Sequence, residues 1–190
     1  MANFSRGEVV AVAWRLFATR GFTGTSIEAI ARELGTSKRT IYEHFDDKEE
    51  LLQAGAETAL RQADTEARLI LTEARTPRAR FARLIEWLTG HAQQTQSPAM
   101  SDIRRGAPAV YRRIEAARRA MIREHLSIAL TPAVEGRSAV TAKPGRLADV
   151  IAAAVTGVVA RGEQEQDLMA TAGDIAILLQ IMAAGLFGPE

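Results

Sequence analysis

Cysteine is missing from all 190 residues, which excludes disulfides, thiol redox sensing and cysteine-ligated metal sites. A surplus of one charge is missing too. The formal net charge is +1, so no global positive field draws the chain onto nucleic acid of any sequence. Residues 1–50 even carry more carboxylates than lysines and arginines. There is no glycine-rich phosphate loop and no HExxH or GxSxG pattern, and the 3 histidines are scattered. An enzyme is therefore disfavoured, and no cofactor or metal is expected. The amino terminus lacks the basic-then-apolar pattern of a secretory signal, which gives a cytoplasmic protein as the expectation. No segment has a strand period and no internal repeat is present.

The most informative stretch is Thr25 to Leu51, TSIEAIARELGTSKRTIYEHFDDKEEL. Ile27, Ile30, Ala31 and Leu34 fall at i, i+3, i+4 and i+7, the apolar stripe of an α-helix. Thr25 with Glu28 three residues on forms a capping-box pattern at its start, and Gly35 ends it. Ser37 is the N-cap of a second helix, drawn over about residues 37–45. On a wheel of 100° per residue, Ile41 and Phe45 point one way, with His44 at the margin. Lys38, Arg39, Tyr42 and Glu43 point the other way, and Thr36, Ser37 and Thr40 cluster near the amino end. A solvated helix face would carry the same charges. Together with the tight turn and the caps, however, the pattern is that of a helix-turn-helix reader. The first residues of its second helix meet base edges in the major groove of double-stranded DNA.

The first fifty residues resemble the DNA-binding domain of the tetracycline-repressor (TetR) family of bacterial regulators. The residues that carry the likeness are Ala13, Phe17, Gly21, Phe22, Thr25, Ile30, Ala31, Leu34, Gly35, Ser37, Thr40, Ile41, Tyr42, Phe45, Lys48 and Leu51. In that family a preceding helix packs across the pair, and here Val9, Val10, Ala13, Trp14 and Phe17 would supply its apolar side. The resemblance implies that Thr25, Tyr42 and Lys48 hold phosphates and that Ser37, Lys38, Arg39 and Thr40 face the groove. Thr36 stands where the family usually has an aliphatic residue in the turn and joins the candidate DNA-facing set. Arg39 is often glycine in relatives. Both departures leave the operator sequence open. Lys48 would lie in the first turn of a helix beginning at Asp46 or Asp47, where Asp46-x-x-Glu49 and Asp47-x-x-Glu50 are both capping-box patterns.

From residue 47 the chain reads as helices. A long one runs towards Glu73 and is expected to link the reader to the rest. Thr76-Pro77, Ser97-Pro98 and Ala107-Pro108 mark further helix starts. Residues 77–95 carry Phe81, Leu84, Leu88 and His91 on one side, and residues 109–130 carry Ile114, Ala117, Met121, His125 and Ile128 on another. Residues 132–146, with two prolines and two glycines, read as a loop. The fold expected is all-α: a helix-turn-helix domain of three helices over residues 1–47, then a larger helical regulatory and dimerisation domain over residues 48–190.

Residues 147–161 and about 168–188 are apolar nearly all round, so they require cover on more than one side. A second copy of the chain supplies it, consistent with the four-helix dimer interface that the resemblance implies. Val155, Val158, Val159, Ala172, Ala176, Leu179 and Ala183 are the interface candidates in this homodimer. Asp174, Gln180 and many small residues argue against a membrane span, and no membrane partner is expected. Two readers on a twofold axis would recognise half-sites roughly 34–36 Å apart, hence an inverted-repeat operator. Phe81, Trp87, His91, Met100, Tyr111, Met121 and His125 are candidate contacts for an apolar or aromatic small-molecule effector, although each taken alone is also an ordinary core residue. The arginine run from Arg104 to Arg123 reads first as a solvated face and second as an anion site. Two functions stay open: a repressor released by a small molecule, and a DNA-binding dimer without such an effector, constitutive, partner-regulated or activating.

Overall fold

The structure is a computed structural model and describes residues 4–95, 98–135 and 145–154 together with positions 174, 177, 181 and 182. Among the described residues every regular element is helical. The chain is all-α, with helices α1 (Arg6–Arg20), α2 (Ile27–Leu34), α3 (Lys38–Tyr42), α4 (Lys48–Glu73), α5 (Pro77–Thr95), α6 (Pro98–Gly106) and α7 (Pro108–Glu135). Residues 145–154 are helical as well. No helix among the described residues is long and apolar enough to cross a membrane. The interface candidates Val155, Val158, Val159, Ala172, Ala176, Leu179 and Ala183 lie outside the described residues.

Backbone packing divides the chain into two units, residues 1–62 with 97–117 and residues 63–96 with 118–190. The division differs from the boundary expected between residues 47 and 48. The reason is the core of the first unit, in which Leu51, Leu52, Ala54 and Ala56 of α4 pack in one cluster with Phe17, Ile30, Ile41 and Phe45. Ile103, Ala107, Val110 and Ile114 join the same cluster from α6 and α7. Burying a side chain such as Phe17 or Phe45 stabilises by roughly 1.5–3 kcal/mol, so the short helices depend on these later segments for much of their core.

Local chemistry sets the helix ends in this unit. Ser5 and Glu8 form a reciprocal capping box at the start of α1. At the start of α2 the N-cap is Ser26, whose hydroxyl accepts from the Ala29 amide at 3.2 Å. The expected capping box of Thr25 and Glu28 is thus corrected by one residue. Thr25 is fully buried, and its hydroxyl donates to the Gly21 carbonyl at 2.7 Å. Burial claims Thr25 and leaves the cap to its exposed neighbour.

The second unit has its own core. Ala67 and Leu71 of α4, Phe81 and Leu84 of α5, and Leu126, Ala129 and Leu130 of α7 meet Ala148 and Ile151. The helix α7 continues through Pro132 to Glu135, and residues 145 and 146 are already helical, so both ends of the expected loop 132–146 are corrected. An interior proline costs about 3 kcal/mol. The disturbance is confined to the last turn, since α7 ends three residues later at Glu135.

Candidate nucleic-acid interface

The turn between α2 and α3 is built to a tight specification. Gly35 sits at φ 69° and ψ 31°, the left-handed region that glycine enters without a Cβ clash. Its amide donates to the Arg32 carbonyl at 3.1 Å and the next amide, of Thr36, donates to Ala31 at 2.9 Å. This pair of bonds satisfies the last carbonyls of α2 and reverses the chain. Two residues later Ser37 caps α3, accepting from the Thr40 amide at 3.3 Å. The helix is shorter than the segment drawn from sequence, Lys38–Tyr42 with Glu43 as its C-cap. Ile41 is fully buried and anchors it to the core, while Ser37, Lys38, Arg39 and Tyr42 are exposed. Thr36 and Thr40 are half-buried.

The exposed cations have acidic neighbours. Lys38 Nζ lies 2.6 Å from Glu28 Oε1, a bond from α3 back to α2. The pairing lowers the Glu28 pKa and raises that of Lys38, through the hydrogen bond first and charge attraction next. Arg39 Nε lies 3.3 Å from Glu43 Oε1, and the Arg39 side chain is 90% exposed. Glu43 as a partner is legible from the i, i+4 spacing. Glu28 is not, because its contact with Lys38 exists only once α2 and α3 cross.

Two of the residues expected at phosphates have other engagements. Thr25 is corrected: with no exposed surface and its hydroxyl given to Gly21 and, at 3.3 Å, to Leu16, it braces the loop into α2 and offers nothing to a ligand. Lys48 opens α4 and donates to the carbonyls of Phe22 at 2.9 Å and Thr25 at 3.1 Å. Its ammonium also sits 4.1 Å from the centre of the Phe22 ring. Partial burial lowers its pKa, with nearby Asp102 acting in the opposite sense. Asp47, one residue earlier, accepts from the Glu50 amide at 2.7 Å while Glu50 reaches back to the Asp46 amide at 2.7 Å. The two expected boxes therefore merge into one cap with Asp47 as its acceptor. His44 is half-buried, its Nε2 3.1 Å from the Phe4 carbonyl.

A contact with no signal in the sequence clamps the same loop from the other side. Asp102 of α6 accepts from the Thr23 amide at 2.8 Å and from the Thr23 hydroxyl at 2.6 Å. These bonds hold its carboxyl below the usual carboxylate range. Gly21, at φ 78°, admits this approach, since a Cβ there would stand 2.7 Å from Asp102 Oδ2.

The candidate effector contacts fall in both units. Met100 and Tyr111 pack against the core of the first unit. Phe81 and Trp87 belong to the core of the second, and His91, Met121 and His125 lie in that unit too. Met100 and Tyr111 share the first core because α6 and the start of α7 pack with the reader. In the second unit Trp87 Nε1 donates to Glu66 at 3.1 Å and its ring stacks on His91 at 4.0 Å. His125 is fully buried, with Nε2 3.0 Å from Asp64 Oδ1 but neither ring nitrogen in a well-directed hydrogen bond among the described residues. Burial lowers its pKa, opposed by the Asp64 charge. Among the described residues no group of three or more His, Asp or Glu is placed to hold a metal ion. The arginine run divides between the units, and most of it is exposed.

Comparison with known proteins places this geometry. Residues 9–54 match the tetR family of bacterial regulatory proteins. The chain is 34% identical over 86 residues to the HTH-type transcriptional repressor AcnR of Corynebacterium efficiens, covering 45% of this chain and 46% of that protein. The curated relatives that it matches are spanned over half of their length or less. Among solved structures, a transcriptional regulator from Cytophaga hutchinsonii aligns over 95% of both chains with a TM-score of 0.76 at 17% identity. The TetR-family repressor FadR of Thermus thermophilus, solved with lauroyl-CoA, aligns over 93% of both with a TM-score of 0.61 at 22% identity. The matched family and the named relatives are transcriptional regulators, not enzymes.

Proposed function

We propose that this chain, whose residues 9–54 match the tetR family of bacterial regulatory proteins, is a homodimeric repressor of transcription of that family, released from an inverted-repeat operator by a small molecule. The observation that carries the reading is the start of α3. A capped helix, anchored by one buried residue, Ile41, presents Ser37, Lys38, Arg39 and Tyr42 outward. An α-helix in the major groove meets base edges with its first residues, and those are the residues exposed here. Arg39 is the base reader, since a guanidinium matches the paired acceptors of guanine. Lys38 and Tyr42 flank it, and Lys48 meets a phosphate once it leaves the Phe22 and Thr25 carbonyls.

One five-residue helix reads few base pairs, and a twofold pair reads two half-sites. Ile177 and Ile181, both helical positions, are 57% and 66% exposed in the single chain, which supports cover by a second copy. Repression is the sense named for AcnR. The effector site falls to the second unit, where Phe81, Trp87, His91, Met121 and the buried His125 lie. An effector acts only by its differential affinity for the DNA-competent and DNA-incompetent states.

Selection from a random-sequence duplex pool tests the proposal. Enrichment of an inverted repeat, followed by its release by a compound that also raises the melting temperature, is the expected result. An enriched repeat that no compound of broad chemistry releases would favour a regulator without a small-molecule effector. Failure to enrich any sequence would refute the reading.

A further inference from the structure

Both cations of the reading helix are paired before any duplex arrives. Lys38 with Glu28 and Arg39 with Glu43 make two positive and two negative charges, all exposed, with side-chain exposures of 54%, 61%, 90% and 58%. The outer side of the reader therefore sums to no charge. The two carboxylates are not equivalent. Glu43 touches the Nε of Arg39 at 3.3 Å and leaves the outer guanidinium nitrogens in water. Glu28 meets the compact Lys38 ammonium at 2.6 Å and does so from the other helix of the motif. Its position, second in α2, sets a negative charge on the side of the motif that approaches DNA.

We propose that Glu28 is a specificity-determining residue, which withholds Lys38 from duplexes of arbitrary sequence and yields it where a base edge offers an acceptor in the groove. The inference rests on the reading that α3 enters the major groove. Non-specific affinity comes almost wholly from cations that displace counterions at phosphates. A lysine already neutralised by a carboxylate displaces none, and the carboxylate itself repels the backbone. At a cognate site the ammonium exchanges Glu28 for a directional bond to a guanine O6 or N7, a contact available only at the right base pair. Exposed ion pairs are individually weak, so the exchange is reversible, and the pair filters without blocking.

The test is Glu28→Gln, which keeps size and removes charge. Glu33→Gln serves as the control for net charge, since Glu33 lies on the same helix but pairs with Arg15 at 2.8 Å, away from Lys38. Binding is measured to a 30-base-pair duplex of mixed sequence and to a duplex selected by the wild-type protein, across a series of potassium chloride concentrations. In Glu28→Gln, affinity for the mixed duplex is expected to rise by roughly three- to tenfold at low salt, with the salt slope steeper by about 0.9 per protomer. Affinity for the selected duplex is expected to change by less than about twofold, so the specificity ratio falls. In a Lys38→Ala background the Glu28→Gln effect should shrink to the size of the Glu33→Gln effect. Equal shifts in Glu28→Gln and Glu33→Gln, or no shift in either, would overturn the proposal. If Lys38→Ala and Arg39→Ala left the selected duplex bound as tightly as wild type, the groove reading itself would fall, and this inference with it.

Discussion

Replacing Asp102 by alanine removes the clamp on the loop that leads into α2. The carboxylate accepts two hydrogen bonds from Thr23, at 2.8 Å from its amide and 2.6 Å from its hydroxyl, and its side chain is 16% exposed. A hydrogen bond to a charged group contributes roughly 1.5–3 kcal/mol when sequestered. Thr23 is exposed, so water takes over both donors in the variant and the pair is worth less than its sum. The expected loss is about 2 kcal/mol for Asp102→Ala, and about half of that for Asp102→Asn, which keeps an acceptor without the charge. Urea denaturation gives the total, and hydrogen exchange at residues 21–26 shows whether the loss is local. The sign against pH follows from the carboxyl. Its pKa is lowered in the folded chain, chiefly by the Thr23 hydroxyl and then the Thr23 amide, so its stabilisation is present above the unfolded carboxyl pKa of about 3.9. It is lost as pH falls through the folded value. A midpoint for Asp102→Ala within error of wild type, with unchanged exchange in the loop, would refute the clamp.

Three further outcomes are expected. Thr25→Val keeps the shape and removes a buried hydroxyl bonded to Gly21 and Leu16, and should cost about 1–2 kcal/mol in urea denaturation; an unchanged midpoint would return Thr25 to the surface. Gly35→Val forces a β-branched residue to φ 69°, at a cost of about 1–2 kcal/mol, and circular dichroism melts should show it. His125 is buried with a lowered pKa, through desolvation against the pull of Asp64. The unfolded chain therefore takes up the proton first, and stability should fall as pH drops below about 6.5. Melting curves from pH 7.5 to 5 should show that fall in wild type and much less of it in His125→Leu; parallel curves would dismiss the assignment.

What the sequence makes legible here is what local rules govern. Pro77, Pro98 and Pro108 each stand first in a helix of the structure, because a proline at that position gives up an amide that has no partner anyway. Gly35 and Ser37 mark the turn for equally local reasons. The start of α2 is where such rules run out. Thr25 and Ser26 are both good caps, and only the packing of residues 16–21 decides that Thr25 is buried. Distance hides the rest. Asp102 and Thr23 are 79 residues apart, and neither belongs to a pattern that would pair them. The placement of Met100 and Tyr111 with the reader follows from α6 sharing that core, which no helical wheel reports. Pro132 misleads in the opposite direction, since it reads as a breaker while α7 runs three residues beyond it.

On the proposed function, the segment beginning at Ser37 is the surface that meets duplex DNA. The most direct measurement is a titration of the isotopically labelled protein with its selected duplex, following backbone amide resonances. The largest shifts are expected at residues 36–42, with Arg39→Ala abolishing them at equal DNA concentration. Shifts absent from residues 36–42 and concentrated instead in residues 63–96 would contradict it.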